Sequence, residues 1–453
     1  MKRLFFSLII SCACFIVASC SKEAAIGGTA NKAKNISVYT FDRGNIELLC
    51  NMPVNRETGR FDTIVSLPYH GLYLLKANGN AMYPVHLKNG ENIELEFNNN
   101  QFDISGNGIS EENQLLFEWE NNISDVKTGS FLHTYLPGGH SLPYPEFFAQ
   151  LQKAEKTKSS LLEKIEGENG DFYIFLRDKL NADLDFYALN YLRAEGYSIP
   201  DTVALPSYYS NINPDNVFQN ERIVNLPYAG KMLDTYVWYK NRKTILPKGE
   251  VRYFVETLES KTLQQEYLIT AAEGMKSYDE LLNMLEQVGE NFFTTEYQPR
   301  LSKVKENLLW SKPGVQAPDF TAMAPDSTWM KLSDYKGKVV VADVWATWCE
   351  PCRRLMPLFH ELQKEFVSDN VVFLSICVGV SIEVDKWLEL SKEFHIEKNN
   401  FFVSGWNSDF VKDYRISGVP RYMIFDEQGR IVSVVAPNPT TSRLKDMIKK
   451  QLD

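Results

Sequence analysis

From Ile36 to Ile109 apolar and polar residues alternate in short runs, among them "NIELLC", "FDTIVSL", "GLYLLKA" and "KNGENIELEF". Alternation of period two, broken by turn residues, marks strands with one buried face. In the last run Asn89 and Gly90 offer a tight turn before Ile93, Leu95 and Phe97, which share a face. Residues 36–110 therefore read as a small β-sandwich or barrel. Near Glu111 the period changes. Leu176, Leu180, Leu184, Tyr187 and Tyr191 recur at the spacing of an amphipathic helix. Residues 111–310 read as a helical domain, and aromatic runs such as "DFYIFL" and "TYVWYKN" are expected to pack between its helices. No fixed period recurs, so a solenoid of repeats is not supported.

The segment "SKPGVQAPDF", Ser311 to Phe320, carries two prolines and a glycine and marks a linker into a new domain over 311–453. There strand and helix signals alternate. Val339–Val344 and Val371–Val378 read as strands, Arg353–Phe366 and Ile382–Phe394 as helices. A hairpin follows from Tyr422–Phe425 and Ile431–Val435 around "DEQGR", and Ser442–Leu452 closes the chain as a helix. That order predicts an α/β domain, a mixed sheet with helices on both faces. The whole is multidomain, as 453 residues suggest.

Net charge of -10 argues against a nucleic-acid partner, since phosphate contacts need clustered Lys and Arg. The first residues change the picture more. "MKRLFFSLIISCACFIVASC" has Lys2 and Arg3, an apolar run, then small residues ending at Cys20. Residues 1–19 are thus expected to be a signal peptide, too short to span a membrane stably. Val17 to Cys20 resembles the lipobox of bacterial lipoproteins, which implies cleavage before Cys20 and lipidation of that cysteine. The lipid would tether the protein to a membrane surface in the envelope of a Gram-negative-type bacterium, facing the periplasm. Residues 20–35, small and polar, then read as a flexible tether.

With Cys12 and Cys14 removed and Cys20 lipidated, the thiols left are Cys50, Cys349, Cys352 and Cys377. Cys50 and Cys377 read as small buried apolar residues. Cys349 and Cys352 are different: "VVVADVWATWCEPC" places a CxxC at the start of a helix, directly behind a buried strand. At a helix N-terminus unpaired N–H groups and the dipole favour thiolate, making Cys349 the nucleophile. Pro351 suits the first helical turn, where its missing N–H has no partner to lose. Cys352, one turn on, is placed to attack a mixed disulfide and release reduced substrate. Asp343, six residues before Cys349, stands inside the apolar strand. Such an acid is expected to have a raised pKa and to exchange a proton with Cys352.

Gly418, Val419 and Pro420 open a later strand; a cis Val419–Pro420 bond there would leave backbone to pair with an extended substrate segment. Trp348, Glu350, Pro351 and Val419 are expected on the substrate-facing surface, Trp345 in the core. Arg353 and Arg354 read equally as aids to the Cys349 thiolate and as solvated helix residues. One CxxC supplies only two of the four ligands a zinc site needs, and neither His360 nor Cys377 pairs with it by position.

Asp343, "WCEPC" and Val419 with Pro420 together resemble the thioredoxin superfamily. "GVQAPDF", "LSDYKGK" and "VWATWCEPC" resemble more narrowly the membrane-tethered TlpA and ResA type of thiol-disulfide oxidoreductase, over about the last 140 residues. The resemblance implies a thioredoxin-like fold, Cys349 as attacking thiol, Cys352 as resolving thiol, and Pro420 as a cis-proline. It implies no cofactor beyond the Cys349–Cys352 disulfide, protein disulfides as substrates, and a membrane partner supplying electrons. Many of those relatives carry Glu where this chain has Leu355 and Asn where it has Asp343, so proton transfer is assigned here to Asp343. Two other readings compete. One is an envelope binding lipoprotein that uses the fold as a scaffold; the other is a peroxiredoxin-like peroxidase, whose residue spacing "WATWCEPC" lacks.

Overall fold

The computed structural model describes residues 23–452 except 31–32, 78–81, 99–100, 106–108, 136–141, 195–203, 243–250 and 367–369. The expected signal peptide and Cys20 lie outside the described residues. By compactness the chain divides into two units, Met1–Lys240 and Asn241–Asp453.

The first unit opens with strands β1 (Glu23–Ala30), β2 (Asn35–Asp42), β3 (Asn45–Pro53), β4 (Arg60–Ser66), β5 (Gly71–Lys76), β6 (Tyr83–Leu87), β7 (Asn92–Asn98) and β8 (Gln101–Ser105). They form two four-stranded sheets, ordered β4-β1-β7-β8 and β3-β2-β5-β6. Ile26, Phe61 and Leu95 of one share a core with Val38, Tyr73 and Val85 of the other, so the expected β-rich domain is a sandwich.

The tether expected over 20–35 needs correction, because Glu23–Ala30 is a strand inside the first sheet. It pairs antiparallel with β4 and parallel with β7, and buries Ala24, Ile26 and Ala30. Its small residues reflect crowding rather than flexibility. Gly28 has φ +146°, and a Cβ there would stand 1.9 Å from the Leu95 carbonyl oxygen. Both the backbone conformation and the space exclude a side chain. Gly28→Ala is therefore expected to cost more than about 3 kcal/mol. Urea unfolding of the full chain, followed by hydrogen exchange in β1 and β7, measures it; unchanged protection would contradict this account.

Helices Glu111–Tyr135, Tyr144–Lys164 and Asp171–Ala194 follow the sandwich. Asn113 fastens the first to β6, accepting from the His86 N–H at 2.8 Å and donating to its carbonyl at 2.7 Å. As expected from the periodicity, Leu176, Leu180, Leu184, Tyr187 and Tyr191 are all buried. The Tyr191 ring stacks on Phe147 at 3.7 Å, so these aromatics are packing. Lys179 is buried among them, 2.8 Å from Glu120 and 2.6 Å from Asp183.

The helical segment does not end as one domain at residue 310. Helices Lys261–Glu273, Tyr278–Val288 and Gln298–Leu308 build their own core around Leu268, Leu281 and Leu301, and fall in the second unit. Polar contacts tie them to the α/β domain. Ser433 donates to Asp279, and Arg415 donates to the Asn307 carbonyl at 3.0 Å and lies over the Trp310 ring. Helical periodicity identifies the element but not the core it joins.

The α/β domain has strands β9 (Thr321–Met323), β10 (Trp329–Lys331), β11 (Val339–Trp345), β12 (Val371–Gly379), β13 (Asn400–Ser404), β14 (Arg421–Phe425) and β15 (Ile431–Ala436). They form one mixed sheet ordered β10-β9-β13-β12-β11-β14-β15. β11 is central, parallel to β12 and antiparallel to β14, and every one of its residues is buried. Helix Glu350–Glu365 follows it directly; helices Val384–Glu393 and Ser442–Lys449 complete the layers. The Pro- and Gly-containing segment before β9 is pinned to the β14–β15 hairpin, with Gly314 N–H donating to Ile431 and Ala317 N–H to Gly429.

Candidate active site

β11 ends at Trp345, and Ala346 and the turn "TWC" lead directly into the helix Glu350–Glu365. Cys349 is the N-cap of that helix: its Sγ accepts the Cys352 N–H at 3.2 Å, and Pro351 occupies the first turn. Cys349 and Cys352 are joined by a disulfide. Cys352 is fully buried and Cys349 only 3% exposed. Of the two, Cys349 is the one with any exposure to solvent.

The rim at Cys349 is apolar. Trp348 is 61% exposed and its ring lies 6.0 Å from that of Trp406. Val419, half-buried, packs on the cluster that holds both cysteines and is joined to Pro420 by a cis peptide bond. Trp345 is core, as expected, with Nε1 donating to Asn400 at 3.3 Å. Glu350 and Arg354 are both exposed and 4.0 Å apart, a solvated pair of little energetic weight.

Asp343 is fully buried, and neither carboxyl oxygen has a hydrogen-bond partner. Desolvation raises its pKa to about 8. The alternation of β11 puts Asp343 on the same face as Val341 and Trp345. Over that face the CxxC helix presents Cys352, Met356 and Phe359, with Cys352 and Met356 packed around Trp345, and Phe359 around Val341. The carboxyl thus lies beneath the helix between Cys352 and Phe359. Across the sheet its partners are Ser375 on β12 and Tyr422 on β14. The Tyr422 hydroxyl is also buried without a partner, and burial followed by the charge of Asp343 pushes its pKa up.

Several neighbours carried no local signal. Glu383 accepts the Thr347 hydroxyl at 2.7 Å and the Val380 N–H at 2.7 Å, clamping the turn before Cys349 to the end of β12. Gly379 leaves room for this, since a Cβ there would stand 2.9 Å from the Glu383 carboxylate. Cys377 is a free thiol buried in the same cluster as the disulfide, its pKa pushed up by burial and then by Glu383. Cys50, in the sandwich, is free and half-buried, so it belongs to no site around the pair. His360 is half-buried on the CxxC helix. Among the described residues no group of three or more His, Cys, Asp or Glu is arranged to hold a metal ion, and no helix is long and apolar enough to cross a membrane.

A central strand leading into a helix capped by a CxxC disulfide, with a buried acid beneath and a cis-proline beside it, defines a thioredoxin-like domain. The Redoxin family matches residues 312–448. ResA of Bacillus subtilis, a thiol-disulfide oxidoreductase, is 31% identical over 142 residues, covering 29% of this chain and 72% of that one. The thioredoxin-like protein YneN of Bacillus subtilis is 30% identical over 142 residues, covering 30% of this chain and 78% of that one. A solved structure, the thioredoxin domain of a thiol-disulfide oxidoreductase from Bacteroides vulgatus, is 23% identical, covering 31% of this chain and 99% of that one, with TM-score 0.28. The chain belongs, through its C-terminal third, to the ResA-like thiol-disulfide oxidoreductases of the thioredoxin superfamily.

Proposed function

We propose that the protein is a tethered reductant of protein disulfides in the cell envelope, working by a dithiol-disulfide cycle at Cys349 and Cys352. The observation that carries the reading is the N-cap position of Cys349. Its sulfur already accepts the Cys352 amide, and the same N–H would favour a thiolate there.

In the reduced protein the Cys349 thiolate attacks one sulfur of a substrate disulfide, and the other leaves as a thiolate. Cys352 then gives its proton to Asp343 in its ionised form and attacks the Cys349 sulfur. The Cys349–Cys352 disulfide forms, and the substrate departs with both sulfurs reduced. Two electrons pass to the substrate, and an external dithiol restores the pair; a membrane electron donor would supply it in the cell. Trp348, Glu350, Pro351 and Val419 form the docking rim, with the backbone before Pro420 facing the substrate segment. A lipid on Cys20 would hold the protein at the membrane surface.

Trapping tests this directly. Cys352→Ala keeps the nucleophile but removes the resolving thiol, so mixed disulfides with envelope proteins should accumulate in cells and collapse on treatment with dithiothreitol. Absence of any such adduct, with the variant folded and exported, would overturn the reading.

A further inference from the structure

Asp343 is sealed from solvent, yet a residue that takes a proton from Cys352 in each cycle must hand it on before the next. The groups facing it are Cys352 from the CxxC helix, Ser375 and Cys377 from β12, and Tyr422 from β14; its own-face neighbours on β11, Val341 and Trp345, are apolar. Cys377 and Tyr422 are both buried, with pKa values pushed up, and stay neutral near neutral pH. Neither offers an exit.

Ser375 does. A cleft of about 840 Å³ opens between the CxxC helix and the segment from Glu393 to Asn399, and Ser375 lines it. Ser375 is the direct partner of Asp343 across the parallel pair β11–β12. Paired residues point to the same face about 5 Å apart, a separation that one bridging water spans. Polar residues line the cleft too, His360 and Lys364 from the helix and Glu393, His395 and Lys398 from the segment beside it. Burial and then Lys364 lower the His360 pKa, so its ring is neutral near neutral pH.

We propose that this cleft is the proton exit and entrance of the site: Asp343 exchanges its proton with solvent through water held at the Ser375 hydroxyl. The transfer balances. Near neutral pH Asp343 carries a proton and releases it through the Ser375 water to bulk water; the carboxylate left behind then takes the proton of Cys352 as that sulfur attacks Cys349. Ser375 is a positioning residue that touches neither substrate nor the reacting sulfurs. The proposal rests on the reading of Asp343 as the proton acceptor for Cys352.

The test uses the full reduced chain, oxidised by a small disulfide in rapid mixing and followed by tryptophan fluorescence, in H₂O and D₂O across pH. Ser375→Val, which fills the cleft floor without a hydroxyl, should slow the resolving step roughly tenfold and raise its solvent isotope effect. Ser375→Thr, which restores the hydroxyl, should recover both. Should Ser375→Val fail to fold, Lys364→Trp, plugging the cleft mouth from the surface, carries the same expectation. If the blocked variant keeps the wild-type rate and isotope effect while Asp343→Asn changes the pH profile, the route is wrong and the role of Asp343 stands. A pH profile untouched by Asp343→Asn overturns the role of Asp343 and the route with it.

Discussion

Cys349→Ser should reduce the dithiothreitol-driven reduction of insulin disulfides by a factor on the order of 10³ or more, down to the uncatalysed background. Serine fits the N-cap and can still accept the Cys352 N–H, so the helix and the sheet beneath it should be preserved. What disappears is the ionised sulfur. A hydroxyl stays protonated at neutral pH even at a helix N-terminus. Cys352 does not substitute, because it is fully buried while the approach lies at Cys349. Turbidity of the precipitating insulin chain measures the rate. Substantial activity in Cys349→Ser would mean that reduction proceeds through other thiols or through none.

The second large effect concerns stability and is set by Asp343. Its pKa in the folded protein is about 8, against an ordinary value of 3.8. Between those two pH values the folded chain holds a proton that the unfolded chain has released. Stability must therefore fall as pH rises through the window, and above about pH 8 the whole cost of the buried charge is present. Asp343→Asn removes that charge. The variant should be close to wild type at about pH 4 and more stable by a few kcal/mol at about pH 8, less whatever the unpartnered amide costs. Hydrogen exchange of β11 in the oxidised full chain reads the second unit alone. Parallel pH dependence in the two proteins would show that Asp343 does not govern the stability of this domain.

These two residues were legible in the sequence for a simple reason. A CxxC at a strand-to-helix junction, and an acid within an apolar run, are violations of local expectation visible without any neighbour. The strands β11, β12, β14 and β15 and the longer helices of the α/β domain were legible too, because burial imposes periodicity and β11 is buried on both faces, whereas β9, β10 and β13 were not read. The first strand was not. "EAAIGG" reads as a tether, and only the closeness of the Leu95 backbone explains why Ala and Gly stand there. Nor could periodicity say that the helices after residue 241 join the second unit, since an apolar stripe does not name what covers it.

By itself, then, the amino-acid sequence determined the main elements of the α/β domain, the CxxC of Cys349 and Cys352 at a strand-to-helix junction, and the anomalous acid at Asp343. Each follows from short-range physics, namely hydrophobic period, helix-end electrostatics and the cost of burying charge. Only the tertiary structure decided which groups surround them. Ser375, Tyr422 and Cys377 come to Asp343 and the disulfide through sheet register, and Glu383 reaches Thr347 across 36 residues of chain. Strand order and register are set by how whole layers bury their apolar faces, and that information belongs to no single segment.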